Sequence, residues 1–249
     1  MRKHTFLACL IVAAAFASPS QAQDAAPAVE PRAMALLDAM SRRLAEAKTL
    51  SFNARIVNDV PTADKTPIFL TTVADVSFRR PAHLRVITSG DGAASVFVAD
   101  GANMARADTT AGTIAAKAAP QGIDALIRSA GEHGLDLPFA DVLLDKPFGD
   151  LSKGITSAFV IGQSRLVGGT RTNMVSVSGA NGHMQLWIGA EDNLPRQVVV
   201  TESRSGITTH NMVTYTNWAV SRPLNDNVFS SATYNKLRKV EMKPVQPVD

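Results

Sequence analysis

From residue 50 the chain alternates. Leu50, Phe52, Ala54 and Ile56 are separated by Ser51, Asn53 and Arg55, a period of two that predicts a strand with one apolar and one polar face. Just before it, Met34, Leu37, Met40 and Leu44 recur at spacings of three and four, opposite Ser41, Arg42, Arg43 and Glu46. That predicts an amphipathic helix over residues 32–48, with Pro31 or Arg32 in its first turn. Asp59 to Thr66, with Pro61, reads as a turn. The alternation returns in Ala74, Val76 and Phe78, breaks at Arg80-Pro81-Ala82, and resumes at Leu84 and Val86 opposite His83 and Arg85. Proline cannot donate to a ladder, so this break is expected to be a tight corner between antiparallel strands. Arg79 and Arg85 then point to solvent from the outer face. The alternative use of the cluster is an anionic ligand held by Arg79, Arg80 and Arg85, although such a cluster is more often a solvated face.

Ser95–Asp108 reads as a hairpin turning at Asp100-Gly101, and Thr110–Ala119 as a strand closed by Pro120. Ile123–His133 has the spacing of a short amphipathic helix. The segment LDLPFADVLL (Leu135–Leu144) reads as a loop with a helical turn, too apolar to be exposed. Strands are expected at 157–166, 171–178, 183–189, 196–201 and 208–218, punctuated by glycine-, asparagine- and proline-rich turns. Residues 236–249 are expected to be extended. The plan is helix, strands, helical insertion, strands: an α+β, mainly β chain. One curved antiparallel sheet satisfies it, with 32–48 and 123–144 as helical covers over its apolar face.

Composition sharpens the picture at the N-terminus. Arg2 and Lys3 precede a short apolar run, Thr5–Ala17, and Ser20-Gln21-Ala22 supplies small residues before a cut between Ala22 and Gln23. Removing this signal peptide lowers Lys plus Arg from 25 to 23 against 22 Asp plus Glu, so the net charge falls from +3 to +1. No basic footprint for nucleic acid remains. The single cysteine, Cys9, leaves with the peptide, so no disulfide or Cys-ligated metal is expected. No other apolar run is long enough to be a transmembrane segment. The expected organisation is a signal peptide over 1–22, a flexible leader over 23–31, one domain over 32–230 and a tail over 231–249.

The stretch Val73–Val86, VADVSFRRPAHLRV, resembles the Arg-Pro-containing strand pair of the LolA/LolB-like superfamily of periplasmic lipoprotein carriers. The chain resembles more closely the predicted periplasmic family known as domain of unknown function 2092. That resemblance runs from about Met34 to Phe229. It rests on Phe78-Arg79-Arg80-Pro81 with Leu84-Arg85, Asp100-Gly101, Leu137–Leu143, Gly154–Ser157, Gly168-Gly169, Gln185–Ile188, Leu194-Pro195-Arg196, Trp218 and Phe229. It implies an unclosed antiparallel β-barrel with a helical lid, whose hollow holds acyl chains in the carriers. This sequence departs from the pattern at Thr172-Asn173-Met174-Val175, where the resemblance leads one to expect Cys-x-His-Leu.

No catalytic constellation appears: no GxSxG, Walker loop, GxGxxG or HExxH. His83, His133, His183 and His210 are not paired at metal-ligand spacing, and no metal or cofactor is expected. Asp141 and Asp145 share a helical spacing, with Asp141 read as a cap or turn residue. The expectation is a periplasmic, non-enzymatic binding protein. Its hollow takes a hydrophobic small molecule or lipid-modified peptide. Met34, Leu37, Phe52, Val76, Phe78, Leu84, Leu137, Phe139, Leu143, Trp187 and Trp218 are the candidate lining, and Met40 and Met174 could add to it. A periplasmic protein partner, as for regulators of RseB type that share the LolA-like domain, is the second reading. A hydrolase is the third.

Overall fold

The computed structural model describes residues 29–244, apart from 63–65, 93, 136, 150–153, 181 and 205–206. The expected signal peptide and its cut lie outside these residues. α1, Pro31–Ala45, buries Ala33, Leu37, Met40 and Leu44, the stripe its spacing predicts. It ends before Lys48 because Glu46 and Ala47 close the last turn on Arg42 and Leu44, and Thr49 already belongs to a strand.

Two meanders follow. The first comprises β1 (Thr49–Pro61), β2 (Pro67–Arg79), β3 (His83–Gly90), β4 (Ser95–Asp100), β5 (Asn103–Asp108) and β6 (Thr113–Ala118). The turn expected from Asp59 is shorter than its composition suggested. Asp59 and Val60 stay in β1 opposite Phe69 and Ile68, and the ladder stops where Pro61 faces Pro67. The Arg80-Pro81-Ala82 corner forms as expected, with a cis bond before Pro81. The second meander comprises β7 (Ile155–Ser164), β8 (Thr172–Gly179), β9 (Gly182–Gly189), β10 (Pro195–Arg204) and β11 (Ile207–Val220).

Pairing of β1 with β11 joins the meanders into one curved, unclosed sheet. A short β12 (Arg238–Val240) lies parallel to β6, giving the order β12-β6-β5-β4-β3-β2-β1-β11-β10-β9-β8-β7. This order dictates where the lid lies. β6 and β7 are consecutive in the chain but sit near opposite margins of the sheet. The connection between them, with α2 (Ile123–Glu132) and a 3-10 turn at Ala140–Val142, crosses the hollow face.

The inner rows read across the strands as Phe52, Val76, Val86, Phe97 and as Leu50, Phe78, Leu84, Ala99. They form one apolar cluster with α1, α2 and the 135–143 segment. A second, smaller cluster lies on the outer face: Val96, Val98, Ala105, Ala107 and Ile114. β4 is therefore buried on both faces, and its run of VFVA is continuous rather than alternating. Tyr234 and Leu237 of the C-terminal segment cover this outer cluster. The chain leaves β11 and crosses the outer face through short 3-10 turns at Asp226–Phe229 and Ala232–Tyr234; its part from 231 on, expected to be a tail, pairs on the margin of the sheet as β12, and beyond it Met242 packs against the inner cluster.

Candidate functional site: the lidded hollow

The deepest part of the hollow is aromatic. Phe52 of β1 meets Phe139 of the lid at 5.9 Å, Tyr215 of β11 at 5.6 Å and Trp218 of β11 at 4.5 Å between ring centroids. Simple alternation from Tyr215 would turn Trp218 outward. A β-bulge prevents this: the register shifts between Ser51 and Asn53, and Asn217 takes the left-handed conformation, φ 57°. The extra residue turns Trp218 inward, where its indole N–H donates to the Pro195 carbonyl at 2.9 Å. Asn217 donates to Asn53 Oδ1 on the outer side. Burial pushes the Tyr215 phenol far above its ordinary range, and the negative charge of Asp141 adds to this.

The lid is fastened at few points. Its apolar side chains Leu135, Leu137, Phe139, Val142 and Leu143 are all buried, yet among them only Val142 lies in regular structure, the single 3-10 turn at Ala140–Val142. Polar fasteners hold its far end. The Arg80 guanidinium donates to the Leu144 carbonyl at 3.0 Å, the Ala47 carbonyl at 3.2 Å and the Leu44 carbonyl at 3.4 Å, and it pairs with Asp145 at 2.7 Å. One side chain thus ties the last carbonyls of α1 to the lid. The Asp145 N–H donates to Asp124 at the start of α2, and Ser41 Oγ of α1 donates to the Pro147 carbonyl. At its other end α1 is tied to β7: the Glu30 N–H donates to Ala158, and the Glu30 carboxylate accepts from the Val160 N–H.

The hollow gathers Met34, Leu37, Phe52, Val76, Phe78, Leu84, Leu137, Phe139, Leu143 and Trp218 in one cluster. Two expectations are corrected. Trp187 is on the outer face, because Leu186 and Ile188 occupy the inner one. Met174, its partner on β8, is outside with it. The three arginines do not converge on an anion. Arg80 serves the lid. Arg79 bonds Asp226 at 2.6 Å and lies over the Phe229 ring on the outer face, and Arg85 pairs with Asp75. Arg79 therefore does not simply face solvent.

Asp145, spaced for pairing with Asp141, is held by Arg80. The histidines are dispersed. His133 Nδ1 bonds the Ser129 carbonyl, His183 meets Ser178, His210 holds Asp59, and His83 packs on Phe229. Among the described residues no group of three or more His, Asp or Glu side chains lies within reach of one metal ion, and no helix is long and apolar enough to cross a membrane. Sequence reasoning missed Tyr215, although it sits two residues from Val213 in the inner alternation. It also missed the bulge, whose only local signal is Asn217 before the tryptophan.

The family model described as "Predicted periplasmic protein (DUF2092)" matches residues 33–243. No curated protein matches the chain by sequence. Among solved structures, LprF from Mycobacterium bovis is similar at TM-score 0.50 and 14% identity, covering 80% of this chain and 97% of that one. MucB in the MucA/MucB complex of Pseudomonas aeruginosa reaches TM-score 0.45 and 14% identity, covering 84% of this chain. The chain spans 63% of that structure's length, under two thirds. A LolA superfamily protein from Nitrosomonas europaea reaches TM-score 0.37 and 8% identity, covering 81% and 98%. At these identities the likeness concerns the fold.

Proposed function

The chain belongs to the DUF2092 family of predicted periplasmic proteins, and from that premise we propose that it is a non-enzymatic carrier. It holds an acyl chain, lipid or lipid-modified peptide in its hollow, beneath a lid that lifts. It reaches the periplasm through a signal peptide cut between Ala22 and Gln23. The observation that carries this reading is the construction of the lid. A largely apolar sheet face is covered by a largely irregular, apolar segment whose far end is latched by Arg80 and whose near end is held by Arg106 through the His133 and Gly134 carbonyls.

The energies are commensurate. Leu137, Phe139, Val142 and Leu143 each gain about 1.5–3 kcal/mol from burial, roughly 6–12 kcal/mol together. A ligand chain of about 16 methylenes regains roughly 13 kcal/mol at about 0.8 kcal/mol per CH₂. Ligand and lid can therefore replace one another on the inner rows without a large net cost. The apolar lining also continues past the lid: Leu70 is half-buried and Val60 and Ile68 are exposed at the end of the β1–β2 hairpin, which offers a chain a way in.

Solvent extraction of the purified protein followed by mass spectrometry, with titration of a fluorescent fatty acid, tests the reading. Co-purified lipid and saturable binding are expected. Lipid-free protein that binds no probe would overturn it, and a stoichiometric periplasmic protein recovered without lipid would favour a regulatory role. N-terminal sequencing of the exported chain tests the cut.

A further inference from the structure

The outer face has its own cover, and the hollow does not explain it. Residues 222–240 leave the middle of the sheet and run over β2 to β6. Thr49 Oγ1 donates to the Arg222 carbonyl at 2.7 Å, Arg79 holds Leu224 and Asp226, Phe229 is fully buried, and Tyr234 and Leu237 lie on the outer apolar cluster. The anchor Phe229 packs edge-to-face on one histidine: the rings of Phe229 and His83 are 5.4 Å apart at 71°. We propose that His83 makes this strap acid-sensitive, so that protonation of its imidazole loosens residues 225–240 from the outer face.

The surroundings of His83 are built for the neutral ring. Its Nδ1 is buried with no hydrogen-bond partner. The backbone of Gly101 is packed so close that a Cβ there would stand 3.0 Å from the imidazole Cε1. The charged groups facing it are Arg79 from β2, Asp100 from the end of β4, and Asp226 from the strap. Both carboxylates are already engaged. Asp226 is bound to Arg79, and Asp100 accepts the N–H groups of Ala102 and Asn103 at 2.9 and 2.7 Å. A proton on the ring would place a second cation beside Arg79 and an N–H where no acceptor waits. Burial first and Arg79 second hold His83 below the ordinary imidazole range, with Asp226 and Asp100 opposing.

The sign of the effect follows. Above the ordinary imidazole range His83 is neutral with the strap on or off, and pH changes nothing. Below that range the loosened state takes up the proton and the strapped state resists it, so the strap weakens as pH falls towards the depressed value. Loosening would uncover Val96, Val98, Ala105, Ala107 and Ile114 and the margin of β6.

Hydrogen exchange with mass spectrometry on the full chain, at about pH 7.5 and about pH 5 and corrected for the intrinsic pH dependence of exchange, reads this directly. Peptides covering 225–240 should exchange several-fold faster at the lower pH while β1 is unchanged, and His83→Gln should abolish the difference. Equal protection at both pH values, or an undiminished response in His83→Gln, would overturn the proposal. Should His83→Gln not fold, the imidazole resonance of His83 in the unaltered protein decides. Titration below the ordinary range supports the switch, and titration at or above it refutes it.

Discussion

Replacing Arg80 with methionine should make the protein less stable and a better binder at once. Two of the guanidinium's carbonyl contacts are well formed, Leu144 at 3.0 Å and Ala47 at 3.2 Å, and the third, Leu44, is long at 3.4 Å. Hydrogen bonds from a charged donor contribute about 1.5 kcal/mol each at the low end, so the two good ones contribute about 3 kcal/mol. The Asp145 pair adds little. Arg80 is 18% exposed but its partner is 61% exposed, and such pairs are worth about 0–1 kcal/mol. Methionine keeps much of the apolar contact with Phe78, whose ring lies under the guanidinium. The expected loss is about 3 kcal/mol in urea unfolding, borne by the lid.

That loss has a second reading. If ligand enters only when the lid is lifted, affinity is reduced by the fraction of molecules that are open. Weakening the latch by about 3 kcal/mol raises that fraction, and the apparent affinity for a fluorescent fatty acid, by up to roughly 100-fold. Stability and affinity should therefore move in opposite directions. If affinity falls with stability, Arg80 contacts the ligand itself. If affinity is unchanged, the ligand does not pass the lid. Either outcome refutes the latch.

Phe139→Ala should cost about 3–5 kcal/mol in denaturant unfolding, since a ring that is 1% exposed leaves a cavity, whereas Phe139→Leu should cost under about 1.5 kcal/mol. Asn217→Val should cost about 1–2 kcal/mol and shift Trp218 emission to the red in a Trp187→Phe background. Valine resists a φ of 57°, and the bulge that turns the indole inward is lost. Burial alone would raise the Asp59 carboxyl, but the two bonds from His210 outweigh it and hold it below the ordinary range. The stability it adds is present above the ordinary carboxyl range and lost as pH falls through the depressed value. Asp59→Asn should flatten acid unfolding below the ordinary carboxyl range.

The elements legible in the sequence are those whose burial is one-sided. The stripe of α1 and the alternation of β1, β2 and β3 each record a single apolar face, so helix and strands follow from period, and the Pro81 corner from the donor that proline lacks. The lining of the hollow was legible for the same reason: Phe52, Val76, Phe78 and Leu84 lie on the alternating side. Legibility failed where two faces are buried or the period is broken. β4 is covered on its outer face by residues more than 120 positions later, information that no local window contains. Trp218 changes faces through one extra residue, so parity counted along β11 gives the wrong side. Trp187 was a plausible lining residue by size alone, and the burial of Leu186 and Ile188 decides against it.

The corner that interrupts the alternation serves both covers. Arg79 and Arg80 are adjacent, yet Arg79 is the last outward residue of β2 and reaches Leu224, Asp226 and Phe229 of the strap. Arg80 sits in the turn and reaches Leu44, Ala47 and Leu144 under the lid. The two share no partner, and their charged ends lie on opposite faces of the sheet. If the lid and the strap are independent, Arg79→Met and Arg80→Met should be additive in unfolding free energy to within about 0.5 kcal/mol. Hydrogen exchange should show each substitution loosening only its own cover. A coupling of about 1 kcal/mol or more would mean that strain passes through the corner itself. Acid acting at His83, beside Arg79, would then reach the hollow as well as the outer face.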